Sequence, residues 1–130
     1  MTRLKIIQHN VRHWNTHKIN LSNTYLSLDP DIILLNSHGV RNSEQIKIFN
    51  YDVITKNSNN EINDGVSIAI KSHLKYKVIN NFISECLAIK MQTNSGEIII
   101  ATIYLPPRRP YLPMQDVLNL LNYNIPVYIL

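Results

Sequence analysis

The sequence predicts an α/β (α+β) fold, a mixed β-sheet with flanking helices arranged in layers. Three observations lead to this prediction. A strand, an amphipathic helix and a buried strand follow one another over residues 3–35. Alternating strands with a hairpin signal, Asn94-Ser95-Gly96, occupy the middle of the chain. A second amphipathic helix, Met114 to Leu121, precedes a final apolar run, Val127 to Leu130.

The first strand is predicted over Arg3 to His9, where Leu4, Ile6 and Gln8 face one side. Either Asn15 or Thr16 could cap the helix that follows. Its predicted apolar face has the spacing i, i+4 and i+7 and consists of Leu21, Tyr25 and Leu28. Pro30 ends this helix, because the residue before a proline is forced out of the α region.

The second predicted strand, Asp31 to Leu35, contains four apolar residues in a row, which is typical of a strand buried on both faces. Val66–Lys71 and Leu87–Met91 alternate with a period of two and are predicted strands. Tyr51–Thr55 is a short strand candidate, and Ile98–Tyr104 is predicted as the return strand of the hairpin. Four prolines between residues 106 and 113 then exclude regular structure.

Composition indicates a globular intracellular protein. The chain has 130 residues, is 45% hydrophobic and carries a formal charge of +4, which weakly favours an anionic partner. A single cysteine, Cys86, cannot form an internal disulfide, which fits the reducing cytoplasm or nucleus. The chain has no secretory signal pattern and no apolar run near the ~20 residues of a membrane span.

Polar residues follow three of the predicted strands, where α/β folds commonly place their functional sites. These segments are Gln8–Asn10, Asn36–Gly39 and Tyr104–Pro107. Each of them alone is more typical of a turn. Their occurrence together, in this order, is more specific.

The same segments resemble the endonuclease/exonuclease/phosphatase family. The matching stretches are Leu4–Asn10, Pro30–His38, Gly65–Ile70 and Tyr104–Pro107. Ala101 to Pro113 is similar to endonuclease domains of jockey-like non-LTR retrotransposons. The resemblance implies a four-layer αββα sandwich that hydrolyses phosphate esters with Mg²⁺ or Mn²⁺. It implies that residues 1–130 are a partial domain, the truncated N-terminal half.

The resemblance also implies roles for individual residues. Asn10 matches the family asparagine beside the metal and the scissile phosphate, and Tyr104 matches the tyrosine that contacts the phosphate. Ser37 stands where the family has a metal-binding glutamate. His38 beside it could bind a softer metal, although a structural histidine is the plainer interpretation. The metal site is therefore either rebuilt or impaired.

The family's remaining catalytic motifs, Gly-Asp-x-Asn and a later Asp-His pair, have no counterpart in this chain. We therefore expect the chain alone to be inactive. Its expected partners are DNA, the C-terminal half of the domain and a reverse transcriptase domain in a parent polyprotein.

Other residues have two interpretations each. Trp14 could stack on a base or plug the hydrophobic core. Arg108 and Arg109 could grip a DNA backbone or lie in a solvated loop. His9, His13 and His17 have a spacing that would form a metal face on a helix, but chance is favoured because His9 ends a strand. Cys86 is interpreted as a core residue.

Three functional hypotheses remain open from sequence. The first is a fragment of a metal-dependent DNA endonuclease that nicks target sites for retrotransposition. The second is a non-catalytic remnant that only binds nucleic acid, through Arg108-Arg109 and the basic run Lys71 to Lys77. The third is a phosphoesterase of the same family that acts on a small phosphate ester.

Overall fold

The computed structural model describes residues 3–11, 14–36, 46–56, 65–79, 82, 86–103 and 113–130. Eight strands and two helices are found in these residues. In chain order they are β1 (Ile6–Asn10), α1 (Trp14–Leu28), β2 (Ile32–Asn36), β3 (Tyr51–Lys56), β4 (Val66–Lys71), β5 (Tyr76–Ile79), β6 (Cys86–Thr93), β7 (Gly96–Ile103), α2 (Met114–Leu121) and β8 (Val127–Ile129). Neither of these two helices is long and apolar enough to cross a membrane, a finding limited to the described residues.

The strands form two mixed sheets of four strands each. The first sheet has the order β1-β2-β4-β3, with β1 parallel to β2 and the other pairs antiparallel. The second has the order β5-β6-β7-β8, with only β7 and β8 parallel. The first parallel pair is joined through α1, as parallel pairing requires a crossover. The predicted mixed arrangement is confirmed.

Three apolar clusters separate four layers. The cluster between the sheets is formed by alternate residues of both, among them Ile32, Leu34, Ile68, Leu87, Ile89 and Ile100. A second cluster fills the space between the first sheet and α1, and a third lies between the second sheet and α2. The order is therefore helix, sheet, sheet, helix, which confirms the αββα layering that the family resemblance implies.

The strand β2 is buried along its whole length, because it lies between two apolar layers. Ile33 and Leu35 face α1, while Ile32 and Leu34 face the second sheet, and all four are 0% exposed. The continuous apolar run is thus explained by burial on both faces, as predicted.

Helix α1 differs from its prediction in two ways. It begins at Trp14, before either predicted cap, and its buried face is Trp14, Leu21 and Tyr25 at i, i+7 and i+11. The predicted face was wrong at Leu28, which is 44% exposed at the last turn. Asp29 follows with a positive φ of 51°, so the chain has left the α region just before Pro30.

Strand β5 was not predicted from the sequence. Pro126 leads into β8 at the edge of the second sheet, where Tyr128 and Ile129 are 52% and 40% exposed. Because β4 and β2 pack on β7, and β3 packs on β6, the edge strands β1 and β8 lie on the same side of the sandwich. A cavity of about 460 Å³ between the sheets is lined there by Leu4, Ile6 and Tyr128.

Two buried groups that lose a proton at high pH, the Tyr25 phenol and the Cys86 thiol, should make the fold less stable in alkaline solution. Burial raises the pKa of Tyr25 to about 12, and burial together with the nearby Asp116 carboxylate raises that of Cys86 to about 12. Both groups ionise more easily in the unfolded chain, with ordinary pKa values of 10.0 and 9.0. Their contribution to stability is therefore complete below about pH 9 and is lost as the pH rises towards 12.

We accordingly expect the urea concentration at the midpoint of unfolding to fall steadily above pH 9. Cys86→Ala should make this decrease with pH smaller. Equilibrium unfolding between pH 7 and 11, followed by circular dichroism, measures both. A midpoint independent of pH over this range would contradict the burial of these two groups.

Candidate functional site

The ends of three strands meet at one end of the sandwich. Asn10 ends β1 and pairs with Asn36, the last residue of β2. The backbone N–H of Val11 donates to the carbonyl oxygen of Asn36 at 2.9 Å. Because β1 and β2 are parallel, their carboxyl ends lie together at this edge. The end of β7 joins them from the second sheet through the side chain of Asn36.

The Asn36 side chain connects the two sheets directly. Its Nδ2 donates to the carbonyl oxygen of Ile103 at 3.2 Å, and its Oδ1 accepts from Thr102 Oγ1 at 2.9 Å. Asn36 is 6% exposed and Thr102 is fully buried. From the sequence, Asn36 was part of the polar segment Asn36–Gly39 but had no role of its own. The available signal was a polar residue closing an otherwise apolar buried strand.

Asn10 lies on the side of β1 that faces the second sheet. Side chains alternate along a strand, and Ile6, four residues earlier, packs into the cluster between the sheets. Asn10 is exposed, in contrast to the neighbouring Asn36. Its amide can therefore donate a hydrogen bond to an anionic oxygen that approaches this end of the sandwich.

Five of the predicted site residues lie outside the described residues: Ser37, His38, Tyr104, Arg108 and Arg109. The sequence nevertheless ties two of them to the strand ends. Ser37 follows Asn36 directly, and Tyr104 follows Ile103 directly. Asn36 and Ile103 are joined by a hydrogen bond from the Asn36 side chain, so the chain enters Ser37 and Tyr104 from two connected residues.

Trp14 is a core residue in the structure. It is 2% exposed and belongs to the apolar cluster between the first sheet and α1. A base can stack only on an exposed ring face, and burial leaves the indole none. Of the two interpretations left open by sequence, burial supports the hydrophobic plug.

The histidines do not form a metal face in the described residues. His9 Nδ1 lies 2.9 Å from the hydroxyl of the buried Tyr25, and their rings meet edge to face. His17 lies on α1 and is exposed, and His13 lies outside the described residues. His9 therefore has a structural role, joining β1 to α1 next to Asn10.

Cys86 is buried in the cluster beneath α2, as expected of a core residue. Its thiol stays protonated at neutral pH, because burial and the Asp116 carboxylate raise its pKa. Asp116 itself is 0% exposed in the first turn of α2, a position that favours negative charge. A protonated, buried thiol is not a nucleophile.

The described strand ends do not by themselves fit a magnesium ion. Their side chains, Asn10, Asn36 and Thr102, are neutral, whereas Mg²⁺ prefers carboxylate oxygens and water. Across the residues that the structure describes, no three His, Cys, Asp or Glu side chains are grouped to hold a metal. The described strand ends therefore supply no charged ligand for such an ion.

The basic run Lys71 to Lys77 lies at the opposite end of the sandwich. Lys71 ends β4, whereas Val66 at the start of β4 pairs with Asn36. The Lys71 ammonium is 2.6 Å from the Asp29 carboxylate, and this contact lowers the pKa of Asp29. The run is thus separated from the strand ends by the length of the sheet.

Comparison with known proteins identifies the architecture. No family model and no curated protein matches the sequence. Solved structures do match: an AP endonuclease from Archaeoglobus fulgidus aligns with a TM-score of 0.62 and 21% identity over 80% of this chain. An endonuclease/exonuclease/phosphatase family protein from Leptotrichia buccalis aligns with 0.63 and 18% over 92%. The chain has the fold of the endonuclease/exonuclease/phosphatase proteins.

The endonuclease domain of TRAS1, a telomere-specific non-LTR retrotransposon, matches this fold as well, with a TM-score of 0.59 and 16% identity over 92% of the chain. The chain spans only part of each match: 42% of the AP endonuclease, 61% of the Leptotrichia protein and 52% of the TRAS1 domain. The four layers described above are therefore about half of an endonuclease/exonuclease/phosphatase sandwich.

Proposed function

We propose that this chain is part of a metal-dependent DNA endonuclease that nicks target sites for retrotransposition. The observation that carries the proposal is the meeting of Asn10, Asn36 and the end of β7 at one edge of a sandwich. The same fold occurs in an AP endonuclease and in a retrotransposon endonuclease domain. The segment from Tyr104 to Pro113 favours the retrotransposon type.

In this proposal the residues at the strand ends bind the phosphate of the DNA. Asn10 donates its amide to a phosphate oxygen, and the phenol of Tyr104 donates to the charge that develops during hydrolysis. Arg108 and Arg109 bind the DNA backbone near Tyr104. Trp14 has no part in DNA binding, since it is buried.

The completed domain would use Mg²⁺ or Mn²⁺. Ser37 occupies the position of the usual glutamate, and His38 is the neighbouring group that could bind a softer ion. The neutral strand ends cannot replace the missing carboxylates. The 130-residue chain alone is therefore inactive in this proposal, and the remaining metal ligands belong to the second half of the domain.

The second half of the domain is the part with which this chain would pack directly. Among the described strands, the edge strands β1 and β8 lie on the same side, and the cavity between the sheets opens beside them. An unpaired strand edge is a template for further strands. Strands of the second half of the domain, added on that side, would extend both sheets and cover Tyr128 and Ile129.

The test is plasmid nicking by the domain completed with its own downstream reading frame. We expect conversion of supercoiled to open-circular DNA with Mg²⁺ or Mn²⁺, none with a chelator, and none from residues 1–130 alone. Asn10→Ala should lower the rate by about 100-fold, since one preorganised donor is worth that much. Gln8→Ala is the matched control, because Gln8 is exposed on the same face of β1.

A second candidate function is DNA binding without catalysis. The neutral Ser37 in place of a carboxylate favours it. The nicking assay separates the two: salt-sensitive DNA binding without any metal-dependent nicking would support the remnant. Turnover of a small phosphate ester, with no action on DNA, would instead support the third sequence hypothesis.

A further inference from the structure

Asn36 places a polar side chain where the two sheets pack through apolar residues. It lies on the same face of β2 as Ile32 and Leu34 and is 6% exposed. A buried amide is costly unless its hydrogen bonds are satisfied. Here the amide nitrogen donates to Ile103 and the amide oxygen accepts from the Thr102 hydroxyl. Both hydrogen bonds of the side chain are therefore made to residues at the end of β7.

The backbone of the same residue forms a hydrogen bond within its own sheet, the first sheet. Its carbonyl oxygen accepts from the N–H of Val11 at 2.9 Å, just beyond Asn10. One residue thus holds the ends of β1, β2 and β7 together. Its own peptide bond leads to Ser37, and that of Ile103 leads to Tyr104.

Apolar contacts between sheets are not directional, so they leave small sliding movements inexpensive. Hydrogen bonds have preferred distances and angles, and a pair of them on one amide fixes how the two sheets are aligned. Phosphoryl chemistry depends on such alignment, because misplacement by about 1 Å can cost about 100-fold in rate.

We infer that Asn36 is a positioning residue, which with Thr102 sets the alignment of the first sheet's Asn10 edge against the end of β7. The inference rests on the proposed function for its catalytic consequence. Its structural content, the connection of two sheets at the strand ends, is independent of activity.

The kinetic test uses Thr102→Val in the completed domain, which removes the hydroxyl donor but keeps the side-chain shape. We expect kcat for nicking to fall about 10-fold with KM for DNA within about 2-fold, since positioning is lost while binding remains. Thr102→Ser keeps a hydroxyl and should restore kcat.

The matched control is Thr55→Val. The Thr55 hydroxyl also bonds another hydroxyl at 2.9 Å, that of Ser67, but on the face of the first sheet away from β7. It should lower the melting temperature similarly and leave kcat unchanged. Equal losses of kcat in the two valine variants, or full activity of Thr102→Val, would overturn the inference.

Amide hydrogen exchange in the same domain keeps the inference testable if the unaltered domain does not nick DNA. Thr102→Val should speed exchange in peptides covering β2 and β7 and leave β3 unchanged, whereas Thr55→Val should act on β3 and β4. A uniform change, or no change in β2, would refute the coupling. Failure of nicking alone would refute only the proposed function.

Discussion

Replacing Ser37 with glutamate is expected to raise Mg²⁺-dependent nicking by the completed domain by about 10-fold or more. The physical reason is the missing charge. Serine offers Mg²⁺ only a neutral hydroxyl, whereas a glutamate directly after β2 would supply a hard anionic oxygen. Initial rates of plasmid nicking across a Mg²⁺ titration measure the effect, which should appear as a lower metal requirement.

Ser37→Gln is the control for this substitution, because glutamine has the size of glutamate without its charge. It should leave the metal requirement unchanged. If Ser37→Glu slowed nicking while His38→Ala abolished it, the site would be one rebuilt around the histidine. The expectation of an impaired magnesium site would then be wrong.

Truncating Trp14 to alanine should lower the free energy of unfolding by about 3–5 kcal/mol, the usual cost of emptying a buried aromatic site. The indole is 2% exposed in the apolar cluster between the first sheet and α1, so its removal opens a cavity in that layer. Chemical denaturation of the completed domain measures the loss. Ile19→Ala on the same helix is the control, since Ile19 is 73% exposed and should change stability little.

A different result at Trp14 would revive its proposed contact with DNA. That result is an alanine variant of unchanged stability whose DNA affinity falls. In the structure the two effects cannot be separated so cleanly, because only unfolding of the first turn of α1 would expose the ring.

The layers were predictable because burial leaves a direct mark on the sequence. The unbroken apolar run of β2 requires cover on both faces, and the alternation in β4 and β6 requires an apolar neighbour on at least one face. Gly96, with a φ of +117°, closes the predicted hairpin in a conformation that favours glycine. These features depend on local sequence alone.

The errors came from features that depend on distant parts of the chain. The exposure of the apolar residues of β8 depends on what lies beyond the sheet edge, which their sequence does not indicate. Leu28 has helical spacing with Tyr25, yet the first sheet does not bury it. Strand β5 is short and lies in a lysine-rich stretch, so its pattern was weak.

The candidate site was only partly predictable for the same reason. The position of Asn10 at a strand end could be read from the sequence, since alternation and the strand boundary are local. The bond between Asn36 and Thr102 joins residues 66 positions apart, and no local pattern indicates it. Trp14 had two plausible environments, and only the packing of α1 on the first sheet distinguishes them.

Plasmid nicking by the completed domain, with Asn10→Ala and Gln8→Ala compared side by side, tests the central claim most directly. The proposed endonuclease site at the strand ends predicts metal-dependent single-strand nicks that are lost in the Asn10 variant and kept in the Gln8 variant. A completed, folded domain that binds DNA but never nicks it, or one whose nicking is indifferent to Asn10, would contradict that site.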